Sequence, residues 1–276
     1  MNVSVCVTVF NEKAETIKKL LDALKVQTLK PDEIIIIDAR DHNNCSRSRG
    51  RNIAIKKARN EIIAITDAGC IPHKDWLDRI TKPFLKNETT VIAGGYRMIF
   101  ENSFQRAESI FLGTKEENID ANFMPSARSM AFTKSIWKKA GGFPEKLGNT
   151  AEDTLFNIKL LKAGAKFIVT KTAIVDWQMP RTIYDFGFKI YEYAKGDAES
   201  GIWWHPIKRF QTHNLKILTI YLRYTLFIFF PWLILLYLIY AYTKAGLWGI
   251  ILQLTSDIAG IIGFGHGLLQ TSFKRT

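Results

Sequence analysis

Apolar positions along the first third of the chain form short continuous runs separated by helical periodicity. Val3 to Phe10 is β-branched and apolar and ends at Asn11-Glu12, after which Ile17, Leu20, Leu21 and Leu24 recur at helical spacing. This pattern predicts a strand followed by an amphipathic helix. Pro31-Asp32 turns into Glu33-Ile34-Ile35-Ile36-Ile37-Asp38, a run of the kind that a parallel sheet buries on both faces. A polar loop, a helix from about Ser48 to Ala58 and a third strand from Ile62 to Asp67 follow. Three strand-then-helix units in succession imply an α/β layered domain with a parallel sheet. Beyond it, Trp76, Leu77 and Ile80 predict a packed helix, and Leu155, Ile158 and Leu161 predict another that opens at Glu152-Asp153. Between these, Glu101 to Asn122 reads as polar and irregular, a mobile region over the site.

The last quarter of the chain has a different pattern. No charged residue occurs from Tyr224 to Thr243, and about 20 apolar residues suffice to cross a hydrocarbon core of about 30 Å. A spanning helix with a kink near Pro231 is expected. A second apolar stretch, Leu247 to Leu269, contains Asp257 and His266 as its ionisable groups. A carboxylate at mid-bilayer is costly, so Asp257 must face a partner helix, be protonated, or sit at an interface. Gly263 and Gly267 form a G-x-x-x-G that would let helices approach closely. Lys208, Arg209, Lys216 and Arg223 precede the first stretch, Lys274 and Arg275 follow the second, and the turn between them offers Lys244. By the positive-inside rule both ends lie in the cytoplasm. Trp203-Trp204 suits the headgroup zone. The resulting organisation is a domain at 1–205 (halves 1–95 and 96–205), a basic juxtamembrane segment at 206–223 and a membrane helical hairpin at 224–269.

Composition narrows this picture in three respects. Over 276 residues the net charge of +12 points to anionic partners such as phosphates or an anionic lipid face. Cys6, Cys45 and Cys70 have no C-x-x-C spacing, so neither a zinc site nor a disulfide framework is indicated. The first ten residues lack a basic n-region and a cleavage site and read as a buried strand, which predicts a start inside the cell.

The candidate chemistry lies at the carboxyl ends of the strands, where ligands sit in such sheets. Strand one ends in Asn11-Glu12, strand two in Asp38 and strand three in Asp67, so three carboxylates converge on one edge. A divalent metal, a ribose or a nucleobase would reconcile them. The basic tract Ser46-Arg47-Ser48-Arg49-Gly50-Arg51 runs into a helix start, which binds phosphates through free N–H groups. A donor pyrophosphate is therefore preferred to nucleic acid, and the spacing leaves open which arginine reaches it.

The order Val-Thr-Val-Phe10-Asn11-Glu12, an apolar strand ending in Asp38, Arg51-Asn52 opening a helix, and Thr-Asp67-Ala-Gly resembles the nucleotide-sugar half of family 2 glycosyltransferases with the GT-A fold. Ser126-Ala127-Arg128-Ser129-Met130-Ala131-Phe132 and Gly141-Gly142-Phe143 resemble the acceptor-side strand and turn of that family, and Glu152-Asp153 its Glu-Asp motif. The resemblance implies a Rossmann-like mixed sheet flanked by helices, here with two C-terminal membrane helices. It implies donor contacts from Phe10, Asn11, Glu12, Asp38, Arg51, Asn52, Asp67 and Arg181, and acceptor-side roles for Arg128, Gly142 and Glu152. Asp153 resembles the family's base, which takes the acceptor proton as the anomeric carbon is attacked.

A divalent cation, Mg2+ or Mn2+, is implied at Asp67, with Asp176 as a candidate second ligand. Relatives often carry Asp-x-Asp after the third strand, whereas this chain has Asp67-Ala68-Gly69, and it has no His next to Asp176 in the sequence. The expected activity is inverting transfer of a sugar from a nucleotide-activated donor, UDP- or GDP-linked, to a membrane-lipid or glycan acceptor. The expected location is the cell membrane, multi-pass, with the catalytic domain cytoplasmic. The competing expectation is a membrane-tethered nucleotide-sugar-binding or scaffold protein without turnover.

Overall fold

The computed structural model describes residues 1–86, 89–147, 150–203 and 216–273. The chain divides into two compact units, Met1–Ile99 with Thr114–Gln178, and Phe100–Gly113 with Met179–Thr276. The expected juxtamembrane segment 206–223 lies outside the described residues up to 215.

The first unit is built on a seven-stranded mixed sheet. Its strands are β1 (Val3–Val9), β2 (Glu33–Asp38), β3 (Ile62–Asp67), β4 (Cys70–Pro72), β5 (Val91–Ile99), β6 (Met130–Thr133) and β7 (Phe167–Gln178), in spatial order β2-β1-β3-β6-β5-β7-β4. The three strands read from apolar runs are parallel neighbours, β1 lying between β2 and β3. β1 is buried at every position. β6 then runs antiparallel to both β3 and β5, while β7 pairs parallel to β5 and antiparallel to β4. This is the mixed sheet expected from the resemblance.

Helices α1 (Ala14–Lys25) and α2 (Arg47–Lys57) follow β1 and β2. Leu20 and Leu24 of α1 are fully buried, as their spacing requires. α2 starts where the side chain of Ser46 accepts from the Arg49 amide, an N-cap that satisfies a free helix donor. It lies hard against β1, because a Cβ at Gly50 would collide with the Thr8 side chain. α3 (Trp76–Thr81), α5 (Lys134–Lys139) and α6 (Glu152–Lys162) complete the unit. Trp76 is fully buried and donates to the Ser129 hydroxyl at 2.9 Å. Phe132, Phe143 and Phe156 form the aromatic centre of the core, Phe143 stacking on Phe156 at 3.9 Å. Gly141 and Gly142, both at positive φ, make the turn that delivers Phe143 there.

The second unit contains α4 (Ser103–Leu112), α7 (Ile183–Ser200), α8 (Lys216–Phe229) and α9 (Leu233–Phe273). α4 corrects the expectation of an irregular segment over Glu101 to Asn122. Asn102 caps it by accepting from the Gln105 amide, and Phe104, Ala107 and Leu112 supply a buried face. The polar residues between them hid that face.

The apolar stretch from Tyr224 to Thr243 is not one helix. α8 ends at Phe229 and α9 begins at Leu233, so Pro231 breaks the helix where only a kink was expected. By length and composition one described helix, Leu233–Thr271, is apolar enough to cross a membrane. It contains non-helical backbone at Ala245 and Gly246. Tyr237 and Gln253 both bind the Asp257 carboxylate, at 2.6 and 2.9 Å, and Lys244 binds Gln253. Residues 237 and 257 of a straight helix would be about 30 Å apart, so 233–244 and 247–273 are the antiparallel arms of a hairpin.

Candidate functional site

Strand register brings the expected carboxylates to one edge. Val9 stands opposite Asp38 and Thr8 opposite Asp67, so the carboxyl ends of β2 and β3 flank the end of β1. Glu12 folds back onto that end, its carboxylate accepting from the amides of Phe10 at 2.7 Å and Asn11 at 3.1 Å. Its sequence position reflects this capping, which holds the strand exit in shape. Asp38 accepts from the Arg40 amide and side chain, and those bonds lower its carboxyl pKa to about 2.

Arg51 is the centre of the site. It is 5 % exposed, and its guanidinium donates to Asp67 at 2.7 Å and to Glu152 at 2.8 Å. The side chain also lies 5.4 Å over the Phe143 ring. One buried cation thus ties the end of β3 to the start of α6 across a wide sequence separation. Burial pushes the Asp67 carboxyl up, but the charges of Arg51, Arg128 and Arg47 outweigh it and hold the group below the usual carboxylate range. Glu152 goes the other way. Burial, aided by the charge of Asp153, raises it despite the Arg51 pair.

Asp153, next to Glu152, is only half-buried, and it accepts from the Thr154 amide at 2.8 Å and weakly from that of Ala127 at 3.5 Å. The residue before this pair, Ala151, holds a left-handed backbone at φ 63°. Such a conformation costs a residue with a Cβ on the order of 1 kcal/mol and persists only where surrounding contacts enforce it.

Arg128 is fixed by aromatic faces. Its guanidinium carbon sits 3.9 Å from the Trp177 ring centroid and 5.2 Å from that of Tyr96, and it donates to Ser126 at 3.0 Å. Stacking of this kind locks the rotamer. Together with Arg47, which lies over the Phe10 ring at 5.3 Å, it surrounds Asp67 with positive charge suited to a diphosphate. The roles of Arg47, Tyr96 and Trp177 were missed in the sequence. Arg47 belonged to the basic tract already noted, but the ring platform exists only because β5 and β7 pair.

Other expected residues are engaged elsewhere. Asn52 spends its side chain inside the unit, donating to Phe143 O and Glu145 and accepting from Trp137 and the Phe143 amide. Gly142 packs on Asn52. Asp176 lies one residue from Trp177, on the opposite face of β7, where it binds His73 at 2.9 Å and Arg97 at 3.0 Å. A histidine does stand beside Asp176, contributed by the end of β4. Arg181 is exposed and belongs to the second unit. Among the described residues no three His, Cys, Asp or Glu side chains could hold a metal. Asp67, with one oxygen on Arg51, offers a single carboxylate, which suits Mg2+ or Mn2+ when phosphate oxygens supply the other ligands.

Comparison with known proteins is consistent with this geometry. A model of glycosyl transferase family 2 matches residues 4–46 and 39–139. The glycosyltransferase AglE of Haloferax volcanii is 24% identical over 173 residues, which are 52% of this chain and 57% of that protein. The chain thus spans a little over half the length of this curated relative. Among solved structures, the mannosyltransferase PcManGT from Pyrobaculum calidifontis, in complex with GDP-Man and Mn2+, aligns over 100% of this chain and 88% of its own at TM-score 0.58 and 17% identity. S. aureus TarS 1-349 aligns over 70% of this chain and 66% of its own, at TM-score 0.51 and 17% identity. These two likenesses establish the fold.

Proposed function

We propose, from the match of residues 4–139 to the model of glycosyl transferase family 2, that the chain is a membrane-attached enzyme moving a sugar from a nucleotide diphosphate donor to a lipid or glycan hydroxyl. The observation that carries the reading is the Arg51 bridge. It joins the strand end bearing Asp67 to the helix start bearing Glu152-Asp153, so the donor edge and a candidate base form one construction.

The donor base and ribose lie along the exits of β1 and β2, by Phe10, Asn11 and Asp38. The diphosphate is met by Arg128 and Arg47, whose charges also act on Asp67. Asp67 would hold a divalent cation together with diphosphate oxygens, and that ion would supply charge neutralisation to the departing nucleotide. Asp153 accepts the proton of the acceptor hydroxyl as it attacks the anomeric carbon from the face opposite the diphosphate, which inverts the configuration. Glu152, engaged by Arg51, orients Asp153. GDP-Man in PcManGT and UDP-GlcNAc in a TarS complex support a UDP- or GDP-linked donor. The apolar second unit attaches the chain to the membrane, and the basic flanks favour the cytoplasmic face.

General-base removal costs about 10²–10⁴-fold in rate. Asp153→Asn is expected to lose turnover on that scale while donor affinity, measured by calorimetry, is retained. Full transfer rate in the variant would sink the assignment. The lone carboxylate at Asp67 favours one rival, a tethered nucleotide-sugar-binding protein without turnover. Donor consumption by purified membranes rules it out.

A further inference from the structure

The second unit turns back on itself within its apolar segment. Tyr224 and Tyr237 would be about 20 Å apart along an unbroken helix, yet their rings lie 6.4 Å apart, and Phe227 meets Tyr237 at 5.4 Å. The chain therefore turns back at Phe230-Pro231-Trp232. The turn and its flanks carry large exposed apolar side chains, Ile228 at 77%, Phe229 at 70%, Phe230 at 49% and Trp232 at 63%, and exposed leucines continue along α9.

Polar groups collect away from the turn. Asp257 is 1% exposed and accepts from Arg223, Tyr237, Gln253 and Tyr224. The alternatives for Asp257 resolve to a partner helix, α8, which supplies its arginine. In the sequence Gln211, His213 and Asn214 stand before Lys216, so the apolar run leading into the turn is about 14 residues, and the first arm of α9 runs over 233–244, lengths of about 21 and 18 Å, both short of a core of about 30 Å. The second arm is long enough to cross, but its flank is taken. Gly187 of α7 packs on Thr255, and Gly263 and Gly267 lie against the backbone of Tyr191 and Lys195. α7 carries Lys189, Glu192, Lys195, Asp197 and Glu199, which hydrocarbon would not accept. An arm that runs alongside this helix stays with it at the interface.

We propose that the second unit is monotopic, with the Phe230-Pro231-Trp232 turn dipping into one leaflet of an anionic bilayer and returning, and with no segment crossing to the far face. The exposed Lys216 at the start of α8, with Lys208 and Arg209 before it and Lys274 and Arg275 after α9 in the sequence, matches anionic headgroups. The occupant of the apolar surface is lipid, and a second copy of the chain is the alternative outcome of the test. The inference rests on the reading of this unit as a membrane attachment.

Cysteines introduced singly by Thr219→Cys, Leu247→Cys and Thr271→Cys in the full chain, in sealed native vesicles of one orientation, test the inference with an impermeant maleimide. All three are expected to label from the same face without permeabilisation. Opposite faces for positions 219 and 247, or for 247 and 271, mean that an arm crosses and overturn it. A nitroxide on Phe230→Cys is expected to be more accessible to oxygen than to a water-soluble nickel chelate. The reverse order places the turn in water, and exclusion of both reagents with dipolar broadening between labels places a second copy on it. Either result overturns the inference while leaving membrane attachment intact. Failure of the unlabelled chain to float with vesicles overturns both.

Discussion

Arg51 ties the end of β3 to the start of α6 through two carboxylates. Its guanidinium is buried between Asp67 and Glu152, and removal of one partner from such a pair typically costs about 3–5 kcal/mol, because the remaining charges stay desolvated. Arg51→Met is expected to destabilise the first unit on that scale in urea unfolding followed by tryptophan fluorescence, and Arg51→Lys to recover part of the loss. An unchanged midpoint would contradict the strut. Asp38 gives a pH-dependent counterpart. Its folded pKa of about 2 lies below its ordinary value of 3.8, so its contribution to stability is present above about pH 4 and fades as pH falls through about 2. Arg40→Ala removes the side-chain bonds, the larger cause of the depression, and keeps the amide bond, so its acid unfolding curve is expected to lie closer to neutrality in that window. Asp38, Asp67 and Asp153 were visible in the sequence because strand ends and helix starts are. The engagement of Asn52 and Asp176 by other partners was not, since their partners lie far away in sequence.

At the scale of elements, the strands legible in the sequence were the continuous apolar runs. β1 and β3 are buried along most of their length, whereas β2 corrects the expectation of burial on both faces, being the edge strand with Ile36 exposed, and β7 carries polar residues that break the pattern. Helix α4 was overlooked for a related reason, its buried face being interrupted by Gln105 and Glu108, themselves buried. The G-x-x-x-G of α9 was read for close packing, and its partner turns out to be α7. Gly263→Leu forces a side chain onto the Tyr191 backbone, so the amides of α7 are expected to lose protection in hydrogen exchange. Gly265→Leu is the control, as nothing lies within 4 Å of a Cβ there. Equal protection in both variants would show that α7 does not depend on this seam.

Across the whole molecule, attachment combines apolar insertion with positive charge, and the two respond differently to conditions. Screening at 1 M salt reduces the Debye length to about 3 Å and weakens headgroup attraction, yet leaves apolar burial in place. The chain is expected to remain with membranes after a high-salt wash and to be released by detergent. Release by salt alone would mean that the exposed apolar surface of α8 and α9 does not enter lipid.

The sequence by itself determined the α/β class, the parallel trio β1, β2 and β3, the edge on which Asp38 and Asp67 stand and the apolar character of the C-terminal segment, because each follows from local periodicity, whereas the antiparallel pairings of β6 and β4 were not contained in it. Only the tertiary structure decided that Arg51 joins Asp67 to Glu152, that aromatic rings hold Arg128, and that the apolar segment turns back at Pro231. Those features depend on contacts between residues distant along the chain, whose pairing a one-dimensional pattern does not contain.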